Sequence, residues 1–317
     1  MRLLVTGVSG LLGLNLAWLA SQRFEVTGVM RGNRVSASAS APFRVITADL
    51  TRQGELERVF ETAQPDQVIH CAALTDVDRC EMAPEEAFQI NTVLPGALAC
   101  LARKHSIPLL HISTDSVFDG VRGDYSEEDT PNPINTYART KLAGERAVAE
   151  ANPDALIARV VFYGWSWQGT RSLSEFFLNS LSSGKPIKGY DDLYFCPLLV
   201  SDMVELLLRM LSLRLTGIYH VVSSECLSKF DFGRMLARHF GFDENLIVPA
   251  PYAAGGSKAP RARNLTLRSE KLARALGEAA PAQDPAARRY YEQYCQGYPQ
   301  ALRSVFVETR SSESNMR

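Results

Sequence analysis

Short apolar runs alternate with amphipathic stretches through the first half of the chain. Arg2–Thr6 is a mostly apolar run that ends in a glycine-rich turn, which predicts a buried strand. Leu12–Ser21 follows as a helix and Glu25–Val29 as a second strand. Phe43–Thr47 predicts a third strand, Glu55–Thr62 its following helix, and Gln67–His70, introduced by Pro65-Asp66, a fourth strand. A long helix is expected over roughly Pro84–His105, with Pro108–Ile112 as the next strand. Beyond a loop rich in Asp, Gly and Pro come a helix over Tyr137–Ala151 and a strand over Ala155–Phe162. Apolar strands alternating with helices describe a parallel sheet covered on both faces, so the expected class is a Rossmann-like α/β fold with a doubly wound sheet.

The pattern changes after Gly164. Residues Trp165–Thr170 and Gly184–Pro197 read as loops carrying aromatics and polar groups. Ser201–Leu213 then resumes as a helix, Gly217–Val222 as a strand able to rejoin the sheet, and Ser228-Lys-Phe-Asp231 opens a further helix with a capping-box-like start. The expected organisation is a dinucleotide-binding domain over 1–164, with returning elements around 198–222. A smaller C-terminal substrate lobe would comprise 165–197 and 223–307, and the polar residues 308–317 would form a frayed tail. No internal repeat is evident.

Composition narrows the function classes. With 317 residues, 46% hydrophobic and 22% charged, the chain is long enough to bury a substantial core without staples. A formal net charge of −1 and the lack of a basic tract give no reason to expect nucleic acid or an anionic membrane as partner. The first residues do not read as a signal peptide, and no stretch approaches a bilayer span, so a cytoplasmic protein is expected. The six cysteines, at 71, 80, 100, 196, 226 and 295, are scattered without nearby histidines. That spacing argues against a metal site or a disulfide framework and predicts mostly reduced packing residues.

Gly7-Val-Ser-Gly10-Leu11-Leu12-Gly13 lies where the first strand turns into a helix. Gly7 would permit the tight turn, Gly10 a close approach of a pyrophosphate, and Gly13 close packing of helix on strand. The helix N-terminus adds free N–H groups and the positive end of its dipole. Its spacing is G-x-x-G-x-x-G, and taken alone it is equally a simple turn. An acid at the end of the second strand would suit the ribose hydroxyls of NAD, whereas arginine would suit the 2′-phosphate of NADP. Here the strand ends Val29-Met30-Arg31-Gly32-Asn33-Arg34, so Arg31 with Arg34 in support points to NADP(H), with NAD(H) as the alternative cofactor. Asp49-Leu50 after the third strand and Cys71-Ala72-Ala73 after the fourth are placed to meet the cofactor; each also fits ordinary packing.

Tyr137-Ala-Arg-Thr-Lys141 puts a tyrosine and a lysine at i and i+4 on one helix face. Tyrosine ionises near pH 10, and a neighbouring ammonium is expected to lower that value. Lys141 would do this and also bind a nicotinamide ribose. The fifth strand runs out through His111-Ile112-Ser113-Thr114-Asp115. Ligands gather at the carboxyl ends of parallel strands, so Thr114 is placed to hold a substrate oxygen and Asp115 to orient hydroxyls. His111 is expected to be a core histidine with its polar atoms satisfied.

The turn GVSGLLG, CAALTDVDRCE (71–81), INTVLPGALA (90–99), ISTDSVFDG (112–120) and PNPINTYARTKLAGE (131–145) stand in this order. GIYHVVSSECLSKFDFG (217–233) and PRARNLTL (260–267) extend the series over nearly the whole chain. Together they resemble the extended short-chain dehydrogenases/reductases, most closely the dTDP-4-dehydrorhamnose reductase family of sugar-nucleotide reductases. The resemblance implies a catalytic trio of Thr114, Tyr137 and Lys141. It implies cofactor contacts at Gly10, Leu11, Leu12, Asp49, Leu50, Ala73, Leu74, Thr75 and Ile112, and a site-ordering asparagine at Asn91. Substrate contacts would fall to Thr114, Asp115, Arg261 and Phe162, which stands where these reductases usually have tryptophan. The usual C-terminal Arg-Pro is Arg261-Ala262 here, and the Asp-Gln pair of the lobe is Asp192-Leu193. A homodimer is the expected assembly on the same resemblance.

Three functions fit these motifs. The first is NADP-dependent reduction of a 4-keto group on a nucleotide-activated deoxysugar. The second is a nucleotide-sugar epimerase or dehydratase, although Ser116 after Asp115 leaves the acidic pair of the dehydratases incomplete. The third is a regulatory subunit resembling that of methionine adenosyltransferase, which has a reductase-like body.

Overall fold

The computed structural model describes residues 1–32, 35–252 and 259–308. Seven strands form the central sheet: β1 (Arg2–Thr6), β2 (Glu25–Met30), β3 (Arg44–Thr47), β4 (Gln67–His70), β5 (Leu109–Thr114), β6 (Leu156–Val160) and β7 (Gly217–Val221). Their order is β7-β6-β5-β4-β1-β2-β3, and every neighbouring pair is parallel. The chain winds outward from β1 through β2 to β3, then crosses back to place β4 on the other side of β1. Strand ends diverge at that reversal and leave a crevice at the carboxyl edge.

Side chains along β1 alternate between the two faces, as strand geometry requires. Leu3 and Val5 join the core under α1 (Leu11–Ala20) and the helix Val200–Ser212, whereas Leu4 faces the other core. That second core is closed by α2 (Glu55–Ala63), α3 (Leu94–Lys104) and α4 (Thr136–Ala151), through Val59, Phe60, Leu98 and Val148. The doubly wound class expected from the sequence is the fold observed. Among the described residues, no helix is long and apolar enough to cross a membrane.

Several elements differ from expectation, each for a local reason. The single helix expected over 84–105 is broken into Pro84–Phe88, a π-helical turn at Gln89–Val93, and α3, and a short helix at Val77–Met82 precedes it. Pro95 has no N–H to offer the Asn91 carbonyl four residues back. That carbonyl faces α4 at Gly144, where an added Cβ would lie 2.1 Å from the Asn91 oxygen. The π turn widens the helix at the point where α4 comes closest.

The loop-like regions also contain structure. Leu173–Ser182 is a helix opened by a capping box between Ser172 and Glu175. Ile187–Tyr190 pairs with Ile247–Ala250, and Tyr194–Phe195 with Leu227–Ser228. Val35–Ala37 pairs antiparallel with Phe306–Glu308. Such two- to four-residue pairings depend on partners far along the chain, so local periodicity does not reveal them. Residues 309–317, expected to fray, lie outside the described residues.

The cysteine expectation is corrected in one respect. Cys196 and Cys226 form a disulfide, brought face to face by the antiparallel pairing of Tyr194–Phe195 with Leu227–Ser228. Of the remaining four, only Cys80 is fully buried, and Cys100 and Cys295 are exposed. Among the described residues no cluster of His, Cys, Asp or Glu fits a metal ion.

Gly144 gives the fold a direct test. Gly144→Ala should force α4 away from the π turn and cost about 1–3 kcal/mol. A urea midpoint equal to that of the parent chain would contradict the close approach described here.

Candidate active site

The turn after β1 is shaped by backbone contact alone. Gly7 adopts φ +76°, and a Cβ there would sit 2.7 Å from the Ala72 nitrogen at the end of β4. A Cβ on Gly13 would lie 2.4 Å from the Gly7 oxygen, so α1 rests directly on the turn. Gly10 is the N-cap and provides no side-chain cap, which leaves the first amides of α1 facing outward. Gly7 and Val8 donate to the Val29 carbonyl at 2.7 and 3.1 Å, fixing the turn against β2. A cradle that any Cβ would fill, ending in uncapped helix amides, is suited to a pyrophosphate.

A cavity of about 660 Å³ runs from this turn along the carboxyl edge of the sheet. Gly7, Gly10, Leu11, Leu12 and Gly13 line one stretch; Arg31, Asp49 and Leu50 line the end beyond β2 and β3. Ala72, Ala73, Leu74, Thr75 and Ile112 form the floor, and Thr114, Asp115, Tyr137, Lys141 and Phe162 form the far wall. Of the residues named from the sequence, Arg34 lies outside the described residues. Asn91 is buried behind the floor, and Arg261, expected at the substrate, lies 4.0 Å from Asp78 and does not line the cavity.

At the β2 end, the Arg31 guanidinium reaches Glu86 at 3.3 Å, and Arg79 holds the same carboxylate at 2.8 Å. The Asp49 carboxylate accepts from the Thr51 hydroxyl at 2.6 Å and its amide at 3.2 Å. Burial resists its ionisation, but those bonds and the nearby Arg31 and Arg52 hold its pKa below the ordinary value. Arg79 and Glu86 were not legible as site residues: Glu86 fell inside the single helix expected over 84–105, and Arg79 sits on the short helix Val77–Met82 that the pattern did not reveal.

The far wall is assembled by α4 meeting β5. Asn135 caps α4 by accepting from the Ala138 amide at 2.8 Å, and Glu81 accepts from the Thr136 amide at 2.7 Å and its hydroxyl at 2.8 Å. With its N-terminus fixed twice, α4 presents Tyr137 and Lys141 to the end of β5. Lys141 is buried and donates its ammonium to the Ile112 carbonyl at 2.6 Å. Burial pulls its pKa down to about 8, and the Glu145 carboxylate works in the opposite direction. Tyr137, partly exposed to the cavity, is pushed above the usual phenol range by burial, and a hydrogen bond with Thr114 draws it back.

The expectation that Lys141 lowers the Tyr137 pKa is therefore corrected. The ammonium is spent on the Ile112 carbonyl, and burial dominates at the phenol. Thr114 donates to Asp115 at 3.0 Å and accepts from the Ser116 amide at 3.2 Å. Burial raises Asp115 to about 6, against hydrogen bonds from Thr114 and Ser116 and the charge of Lys229.

Beneath the wall, His70 stacks on His111 with ring centroids 5.4 Å apart. His70 Nδ1 meets the Thr6 hydroxyl at 2.7 Å, but among the described residues neither ring nitrogen of His111 has a partner, contrary to the expectation of a satisfied core histidine. Two further lining groups, Arg171 and Ser172, come from the loop before the helix Leu173–Ser182. Their signal was present in the sequence as the S-x-x-E start Ser172-Leu-Ser-Glu175.

Asn91 acts from behind the floor. Its Oδ1 accepts from the Leu74 amide at 2.8 Å while its Nδ2 donates to the Leu74 carbonyl at 3.0 Å and the Thr140 hydroxyl at 3.2 Å. One side chain thus ties the 72–75 floor to α4.

Residues 1–296 match the family described as RmlD substrate binding domain. The chain is 34% identical over 282 residues to the probable low-salt glycan biosynthesis reductase Agl14 of Haloferax volcanii, covering 87% of this chain and 93% of that one. It is 34% identical over 280 residues to the dTDP-4-dehydrorhamnose reductase of Mycolicibacterium smegmatis, covering 86% and 80%. The dTDP-4-dehydrorhamnose reductase of Bacillus anthracis, solved in complex with NADP, superposes with a TM-score of 0.79 at 25% identity, covering 92% of this chain and 98% of that one.

Replacing Asn91 by alanine removes the acceptor of the Leu74 amide and leaves the Leu74 carbonyl only the Cys80 thiol at 3.5 Å. The cost should be about 1–3 kcal/mol, with faster hydrogen exchange at Leu74. Unchanged protection of that amide would refute the tie.

Proposed function

The chain belongs to the family of the RmlD substrate binding domain, and on that premise we propose that it is an NADP-dependent reductase of a 4-keto group on a nucleotide-activated deoxysugar. The observation that carries this reading is the gathering of Thr114, Tyr137 and Lys141 on one wall of a cavity that begins at the glycine turn. The cradle of Gly7, Gly10 and Gly13 fits a dinucleotide, since side chains at Gly7 and Gly13 would collide with backbone. Arg31 at the other end suits a 2′-phosphate, which makes NADP(H) the preferred cofactor and leaves NAD(H) as an alternative.

When bound, the nicotinamide supplies hydride to the carbonyl carbon. Tyr137 keeps its proton at neutral pH because its environment disfavours the phenolate. It is therefore in the form that reduction requires, and its O–H bond breaks as the carbonyl oxygen takes the proton and becomes a hydroxyl. The phenolate left behind regains its proton from solvent. Thr114 holds the same oxygen, and Lys141, charged below about pH 8, binds the ribose. Asp115 and Phe162 line the side where the sugar would lie. The Ser116 hydroxyl donates to Asp115 at 3.1 Å, in the position where a dehydratase would need a second acid. That contact favours reduction over elimination.

Within this proposal, residues 1–164 with 198–222 hold the dinucleotide, and 165–197 with 223–307 hold the sugar nucleotide. Homodimeric assembly and a cytoplasmic location complete it. The exposed apolar side chains Met82, Phe88 and Val93, close together in the chain, support the dimer, which light scattering tests.

The purified chain should oxidise NADPH when given dTDP-4-keto-6-deoxy sugars; no turnover across a broad panel of keto-sugar nucleotides would sink the proposal. Tyr137→Phe should lower kcat by about 10²–10⁴-fold while NADPH binding persists. Arg31→Ala should raise the KM for NADPH by about 10–100-fold, the worth of one charged hydrogen bond, and leave the KM for NADH nearly unchanged. An equal effect on both cofactors would remove Arg31 from phosphate recognition.

A further inference from the structure

Glu145 lies one turn beyond Lys141 on the same face of α4, and it is as deeply buried. Its Oε1 accepts from the Ser113 hydroxyl at 2.5 Å and from Arg159 Nε at 3.0 Å, and its Oε2 accepts from Arg159 Nη2 at 2.8 Å. Both side chains of this ion pair are only 2% exposed. Arg159 on β6 is itself fixed, with its guanidinium 5.2 Å above the Phe118 ring and Nη1 3.5 Å from His220 Nε2.

The three partners of α4 on β5 are consecutive. The Ile112 carbonyl takes the Lys141 ammonium, Ser113 meets Glu145, and Thr114 meets Tyr137. A slip of α4 along the strand would break all three contacts together, and the Ser113–Glu145–Arg159 link is the one anchored to a further strand.

We infer that Glu145, held by Ser113 and Arg159, is a positioning residue that keeps Lys141 charged and seats Tyr137 against Thr114.

The groups facing Lys141 explain why an anion is needed there. His70 and Cys71 face it from the end of β4, His111 and the Ile112 carbonyl from β5, and Tyr137 and Glu145 from α4. Burial keeps His70 neutral, pulling it down to about 3, and keeps Cys71 as a thiol, pushing it up to about 12. Among these groups Glu145 supplies the negative charge. A buried ion pair contributes little net stability compared with an apolar pair of the same volume. The effect of Glu145 on Lys141 is therefore what distinguishes it from a structural pair.

The inference uses the reductase reading only for what Lys141 does, so the test includes a measurement free of any ligand. The Lys141 amine is titrated by ¹⁵N NMR, with its signal assigned through Lys141→Met. NADPH affinity by fluorescence and kcat are followed over about pH 6–10. In the parent chain Lys141 should lose its proton near pH 8. Glu145→Gln should move that titration, and the alkaline limb of NADPH affinity, to lower pH by about one unit or more.

Because Glu145→Gln leaves Arg159 buried without its anion, the double variant Glu145→Gln/Arg159→Met guards against simple misfolding. It should recover the parent melting temperature and keep the shifted titration. A Lys141 titration that coincides with the parent in a folded double variant overturns the inference. So does a loss of kcat by the same factor at every pH, which is the signature of a purely structural role. Shifted titration without turnover of any keto sugar would instead sink the reductase reading and leave this inference standing.

Discussion

How closely α4 can approach β5 and the π turn governs what the rest of the site can be. Gly144 has no side chain where α4 passes the Asn91 carbonyl, and Pro95 offers that carbonyl no N–H four residues on. The approach lets Asn91 reach Thr140 and Leu74 at once, so one side chain joins the helix to the cavity floor. It also places Lys141 within 2.6 Å of a strand carbonyl, a distance a wider helix–sheet spacing would not permit. Steric fit in the backbone therefore precedes the chemistry of the side chains.

Close approach carries an electrostatic consequence. Lys141, Glu145 and Arg159 are all removed from water beneath α4, where an unpaired charge is strongly disfavoured. The ammonium is matched by a carbonyl, with the Glu145 charge one helical turn away, and the carboxylate by Ser113 and a two-point contact with Arg159. Farther out, Asp115 is buried with hydroxyl donors and a more distant Lys229, and its pKa rises to about 6. The two acids beside the trio thus differ sharply. Glu145 faces inward to a full ion pair, whereas Asp115 faces the cavity and is easily protonated.

The fold was legible wherever a buried strand announced itself by an apolar run beside a turn. Arg2–Thr6 and Gln67–His70 agree with the sequence expectation to the residue, since both are central strands buried on two faces. Legibility failed where pairing was short and distant, as for Val35–Ala37 with Phe306–Glu308 and for the strands that bring Cys196 to Cys226. It also failed at 84–105, where a continuous helical pattern concealed the π turn. Within the site, the glycine turn and the Tyr137–Lys141 spacing could be read because each is a local pattern. Arg79, Glu86 and Glu145 could not, because their partners lie on other elements.

The sequence by itself determined the alternating α/β order, the glycine cradle and the presence of Thr114, Tyr137 and Lys141. These follow from local backbone preference and helical periodicity. Tertiary structure alone decided where the charges go. Spacing suggested that Lys141 would act on Tyr137, but folding directs its ammonium to the Ile112 carbonyl, within the field of Glu145, and burial sets the phenol's proton affinity. The reason is physical: a pKa depends on desolvation and on neighbours brought in from other strands, and neither is written in the residues adjacent along the chain.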